Sequence, residues 1–531
     1  MKAGLQFLAS ERVKQATVRN DWQPKLGDKI VRRPSLRIFH LRRSLGIPAL
    51  YAAGYGDVGS SIYYALGIVA VVALGATPVA LAIAGIAFVF VALTYAEGSA
   101  MFPEAGGSAS FADHAFNDLV SFISGWALIL TYIATIAISA YTIPPYLGHF
   151  WPILKESPMA GTILSMAIVL FLMLINVIGI RQSSIVNVSA AVIDLSVQIL
   201  IVVLGALLVF NLSTLHAHIV LYWPSWENLF VGIALAAVAY TGVETISQMA
   251  EETRQPTRRV PFAHILTAVT VLVIFAGIAT VGLSTMSPTE LATEWAHDPV
   301  AGIAHNLSGA IAPHEMAAKW FSAVEPQIIF TWVLTTLREL LPVLVGLLAA
   351  SILLIAANAG LIGISRVTYF LGRRGLVPGV LASVHPRFRT PWVAIILFSV
   401  ISIVLLIPGF FAPQAFIHLG ALYAFGAAMT YFLAHASILK LRDKYPELPR
   451  PFKIAANFKI RGREMPVTSV LGMLVTAFVW LVLVITQTYS RWVGLGWMAL
   501  GLGIYFLFRW RRKLYSNKIA GTPTGFTESQ R

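Results

Sequence analysis

The chain has 531 residues, 57% of them hydrophobic and only 12% charged, with a formal net charge of +14. Repeated apolar runs near twenty residues exclude a soluble globular protein and define an all-α polytopic membrane protein. No cysteine is present, which excludes a disulfide framework and a thiolate site and leaves the redox compartment unread.

Twelve segments meet the length rule for a membrane-crossing helix: 44–76, 79–102, 121–147, 161–180, 184–210, 228–249, 262–285, 340–365, 391–410, 414–439, 467–487 and 491–509. The first forty-three residues are polar and basic, without the short apolar core of a cleavable signal. With both termini in the cytoplasm of a cell membrane, 34 of the 38 Lys and Arg residues fall inside, leaving only Lys155, Lys319, Arg338 and Arg491 outside. An odd number of spans would scramble that asymmetry. The positive charge therefore reads as topogenic and as attraction to anionic lipid at the cytoplasmic face, and nucleic acid is not expected as a partner. The expected organisation is a basic tail (1–43), a ten-helix transport core (44–440), a proline-punctuated cytoplasmic loop (441–466), two further helices (467–510) and a second cytoplasmic tail (511–531). The oligomeric state is not legible.

In chain order, the first span holds Gly54, Gly56 and Gly59 together with one acid, Asp57. A glycine-broken segment at membrane depth is tolerated mainly where it faces something polar, and Asp57 lies roughly 20 Å in, near the middle of a layer about 30 Å thick. The second span ends at Pro103 and Gly106-Gly107. The third carries Thr131, Tyr132, Thr135 and Ser139 as a polar stripe, which serves either helix contacts or a ligand. Asp194 sits about ten residues into the fifth span, a second acid at a depth where charged groups pair or line a pathway; it is expected to couple transport to an ion. In the sixth span Tyr240-Thr241-Gly242-Val243-Glu244 repeats the first span's pattern, a glycine followed by an acid. Paired interruptions at matching positions of two halves point to a transporter's midplane site between two inverted five-helix repeats. The charges Glu251, Glu252, Arg254, Arg258 and Arg259 read as a solvated cluster. The loop from Met286 to Gln327 reads as short surface helices able to cover the outer entrance.

Gly56-Asp57-Val58-Gly59-Ser60-Ser61, Glu97 to Ser110, Thr241-Gly-Val-Glu244 and Pro449-Arg-Pro-Phe452 resemble the amino acid–polyamine–organocation permeases over nearly the whole chain after residue 44. The resemblance implies a fold of five plus five inverted helices with two extra, broken in helices 1 and 6. It also implies that the amides of Gly59, Ser60 and Ser61 receive a substrate carboxylate. The family's usual third small residue, glycine, is Ser61 here, and Asp194 stands about where proton-coupled members carry a lysine. Gly56 to Tyr64 is also similar to the ion-binding stretch of Kup-type potassium-uptake permeases. That second resemblance places Asp57, Tyr64, Tyr132, Thr135, Thr241 and Glu244 around a cation, with Thr131 in place of an expected acid. Potassium and an ammonium group favour the same hydroxyl and carboxylate oxygens.

These readings converge on a proton-coupled permease importing an amino acid or related amine, with a potassium–proton symporter as the alternative. The expected substrate-binding residues are Asp57, Gly59, Ser60, Ser61, Tyr64, Tyr132, Thr135, Tyr240, Thr241, Gly242 and Glu244, with Asp194 for coupling. No metal or cofactor is expected. The twelve histidines form no ligand-spaced group, which argues against a membrane enzyme, and no phosphate-cradling Gly-rich loop with Lys is present for ATP hydrolysis.

Overall fold

The computed structural model describes residues 45–179, 184–313, 316, 324–412, 414–460 and 462–520. The basic tail to Arg43, the topogenic Arg181, and residues beyond 520 lie outside the described residues.

Among those described, eleven stretches are long and apolar enough to cross a membrane, and the first, Ile47–Met101, runs 55 residues. At about 1.5 Å per residue that far exceeds one crossing. A tight turn at Leu74–Ala76, with Leu74 at φ 46°, divides it in two, so twelve passes result, as the hydropathy pattern requires. The first pass is α1 (Ile47–Gly59) and α2 (Ile62–Ala73), and the second is α3 (Thr77–Met101). A short helix α4 (Ser108–Ala115) follows, then α5 (Asp118–Leu147), α6 (Pro158–Ile178) and α7 (Ser184–Leu208). After the connecting α8 (Leu212–Leu221), the sixth pass is split into α9 (Trp226–Ala236) and α10 (Glu244–Gln248). Helix α11 (Pro256–Thr285), the loop helix α12 (Pro299–Ala310), α13 (Val324–Arg373), α14 (Trp392–Leu406) and α15 (Ala415–Lys444) complete ten passes. A hairpin of β1 (Asn457–Ile460) and β2 (Arg463–Pro466) leads into α16 (Val467–Thr486) and α17 (Thr488–Ala520).

Local chemistry starts these helices where the sequence places them. Pro occupies a first-turn position in α1, α3, α6, α11 and α12, where its missing N–H costs no helical bond. Asn117, Ser157 and Ser225 cap α5, α6 and α9 by accepting from first-turn amides.

Passes one to five and six to ten form the inverted halves. Both halves open with an interrupted helix, and each second pass is followed by a short helix, α4 in one half and α12 in the other. Second and seventh passes run in opposite senses, so the two short helices belong to opposite faces. Helix α12 differs from a helix resting on the surface: Val300, Ile303, Ala304 and Leu307 are fully buried, at the spacing of one helical face. That face packs into α2, α7, α11 and α13. Lys155, before α6, meets the segment, donating to Asp298 at 2.8 Å while its ammonium lies 4.0 Å from the Trp295 ring centre.

At the face carrying the basic loops, two family motifs meet. Glu97 on α3 is fully buried and accepts from Arg442 through Nε at 2.8 Å and an Nη at 2.5 Å, and from the Ile454 amide at 3.0 Å. Arg450, of the Pro-Arg-Pro-Phe stretch, approaches Glu97 to 3.6 Å and donates to the carbonyls of Leu441, Tyr445, Pro446 and Leu448. The loop after pass ten is thereby clasped to pass two. In the charge cluster after pass six, Glu252 pairs with Arg366 at 2.6 Å, and backbone bonds join Leu45 to Glu252 and Arg254. The start of pass one is thus closed onto the end of pass six.

Candidate functional site

The two interruptions are unequal. Between α1 and α2, Ser60 and Ser61 stay in right-handed helical conformation, and their hydroxyls donate to the Asp57 carbonyl at 2.8 and 3.5 Å. The Ser61 amide is already engaged by the Val58 carbonyl at 3.0 Å. In pass six the break is complete: Thr241 is extended and Gly242 has φ 113°. An added Cβ at Gly242 would lie 2.7 Å from the Asp57 Cγ, so glycine is demanded there by conformation and by the close approach of the acid.

Asp57 is 2% exposed and meets pass six directly, its Oδ2 accepting from the Thr245 hydroxyl at 2.6 Å. Its Oδ1 has no partner. Glu244, buried beside the same turn, uses Oε2 to accept from the Gly242 amide at 3.2 Å and the Tyr431 hydroxyl at 2.8 Å. Arg442 is the one fully buried lysine or arginine among the described residues, and Glu97 holds it. Two carboxylates therefore face one unwound turn with no basic side chain to balance them.

Around this pair, Ser61 and Tyr64 share a hydrogen bond of 2.7 Å, and Tyr132 accepts from Gln248 of α10 at 2.5 Å. The Thr135 and Thr241 hydroxyls turn back onto the Thr131 and Val238 carbonyls. Gly59 closes α1 under the Tyr55 ring. Two expected residues stand apart. Tyr240 points between α3 and α11, donating to the Leu81 carbonyl at 2.9 Å against Phe88 and Phe275. Asp194 lies on the α7 side and accepts from Tyr55, Tyr63 and Gln198.

Sequence reasoning missed Thr245, Gln248, Tyr423 and Tyr431. Thr245 and Gln248 directly continue the Thr241–Glu244 motif, a signal that was present. Tyr423, within reach of the Tyr64 and Thr135 hydroxyls, and Tyr431 lie on α15, in a pass whose sequence shows no interruption to mark it.

Comparison with known proteins agrees with this architecture. The amino acid permease family model matches residues 45–507. The chain is 26% identical to the branched-chain amino acid permease BcaP of Bacillus subtilis, over 88% of this chain and 93% of that one. It is 23% identical to the glutamate/serine transporter AimA of the same organism, over 89% and 83%, and 25% identical to the low-affinity putrescine importer PlaP of Escherichia coli K12, over 77% and 85%. A crystal structure of the Eremococcus coleocola manganese transporter superposes with a TM-score of 0.51 at 13% identity, covering 89% of this chain and 98% of that one, a likeness of fold alone. Among the described residues no three His, Asp or Glu side chains gather as a metal site. With the match spanning nearly the whole membrane body, the chain belongs to the amino acid permease family, within the amino acid–polyamine–organocation superfamily.

Proposed function

We propose that this permease moves an amino acid or related amine by alternating access, using a proton gradient, with the positive amine of the solute received at Asp57. The observation that carries this reading is the unpartnered Oδ1 of a buried Asp57 at the unwound Gly242 turn, with no basic side chain buried beside it among the described residues. A buried carboxylate needs a bound cation, a substrate ammonium or its own proton. The named solutes of BcaP, AimA and PlaP, branched-chain amino acids, glutamate or serine, and putrescine, bear amines, while that of a methylthioribose transporter of Bacillus subtilis, 24% identical to this chain, does not. Proton coupling runs through a buried acid, and the two candidates are Glu244 in the site and Asp194 beyond it. The cell membrane, with both termini in the cytoplasm and anionic lipid against the basic loops, completes this reading.

The same orphaned oxygen favours one second reading, a potassium–proton symporter in which Asp57, Tyr64, Thr135, Thr241 and Glu244 surround the ion. Flux into proteoliposomes of labelled leucine, putrescine and rubidium, each with and without a proton gradient, separates the two. Gradient-driven uptake of leucine or putrescine with internal acidification is expected. Rubidium uptake alone would install the second reading, and uptake indifferent to a collapsed gradient would remove proton coupling.

A further inference from the structure

Asp194 is fully buried on α7 and holds three neutral donors. Its Oδ1 accepts from the Tyr63 hydroxyl at 2.7 Å, and its Oδ2 accepts from the Tyr55 hydroxyl at 3.0 Å and from Gln198 Nε2 at 2.8 Å. Gln198 comes from the next turn of the same helix. The two tyrosines come from opposite sides of the Ser60–Ser61 interruption, Tyr55 from α1 and Tyr63 from α2. Tyr63 is held a second time: its carbonyl accepts from the Tyr146 hydroxyl at 2.8 Å, and that hydroxyl accepts from the Val300 amide, at the start of α12, at 3.3 Å.

Hydrogen bonds to a carboxylate are shorter and roughly twice as strong as those between neutral groups. Joining α7 to pass one would need only apolar side chains, which replace buried charge without loss in many proteins. A carboxylate that grips both sides of a break does something packing does not: it sets the angle between the two half-helices. Asp57, Ser60 and Ser61 lie between the gripped tyrosines, and Tyr64 follows directly. We propose that Asp194 is a positioning residue for transport, clamping α1 to α2 through Tyr55 and Tyr63 so that Asp57 faces the Gly242 turn. This rests on the reading of Asp57 as the solute's contact. Two of the three donors to Asp194, Tyr55 and Tyr63, flank the solute site, and each carboxylate oxygen accepts from one of them.

The test compares Asp194→Asn, Asp194→Ala, Tyr63→Phe and the Asp194→Asn/Tyr63→Phe double variant in proteoliposomes, with leucine, putrescine and rubidium as probes. The clamp predicts a KM raised in each single variant, by about tenfold in Asp194→Ala, with Vmax within about twofold and uptake still driven by the proton gradient. It also predicts a double variant no worse than the worse single one, because both changes cut the same contact. Asp194→Asn, which keeps one acceptor, should be milder than Asp194→Ala. Hydrogen exchange in lipid nanodiscs reads the clamp without any transport: amides of residues 55–64 should exchange faster in Asp194→Asn while those of α5 and α15 do not. Loss of gradient dependence at unchanged KM would make Asp194 the coupling group and overturn the proposal, as would unaltered exchange across residues 55–64. If the wild type moves none of the three probes, the transport reading fails, and the exchange experiment still decides the clamp.

Discussion

Gly242 and Asp57 depend on each other. Gly242→Ala would force a side chain into a left-handed conformation and against Asp57, at a cost of about 1–3 kcal/mol for the backbone alone. Uptake should fall by more than about tenfold, and normal uptake with an unchanged melting temperature would show that the turn does not form as described. Asp57→Asn keeps the shape and removes the charge. It should lower affinity for a positively charged solute by about tenfold or more, roughly 1.4 kcal/mol, and spare a neutral one. Were Asp57 merely a cap for the helix that follows, the melting temperature would drop and the affinity would not. Binding and melting measured on the same purified variant separate these outcomes.

Among the elements, the Glu97 clasp and the docked α12 segment make separate predictions. Removing one partner of a buried ion pair strands the other charge, which costs about 3–5 kcal/mol. Glu97→Ala, which strands Arg442, should therefore lower the melting temperature sharply and loosen the loop before β1; a variant as stable as the wild type would mean that the loop is held by its other contacts. At the α12 segment, burial raises the Asp298 carboxyl to about 6 despite the Lys155 ammonium beside it, and its Oδ1 has no partner. The undocked segment would titrate near the ordinary value of 3.8, so the docked form binds the proton more tightly. Docking is then favoured by protonation and weakens as pH rises from about 4 to about 6, opposite to what an ion pair alone would give. Amides of Val300–Ala310, corrected for intrinsic exchange, should gain protection by about twentyfold between pH 7 and pH 4.5, most of what the rise of the carboxyl from 3.8 to about 6 allows. Asp298→Asn should hold the protected state at pH 7. Protection that falls on acidification would refute the sign.

For the whole molecule, the charge asymmetry sets an orientation that the absence of native cysteine makes simple to check. Glu156 and Lys459 are exposed, in connections predicted to face opposite sides. An impermeant maleimide should label Glu156→Cys on intact cells and Lys459→Cys only after the membrane is opened. The reverse pattern would invert the topology.

Hydropathy and charge are local properties of a stretch of chain, and for that reason the twelve passes and the interruptions of passes one and six are legible in the sequence. A polar side chain's partner is not local. Glu97 meets Arg442 across 345 residues, Asp57 meets Thr245 across 188, and Tyr55 meets Asp194 across 139. Which faces touch is decided by how all the helices pack together. That packing turned Asp194 toward two tyrosines and away from the turn at Gly242, drew Tyr431 onto Glu244, sent Tyr240 between α3 and α11, and buried one face of α12 that the amphipathic spacing alone left without a partner.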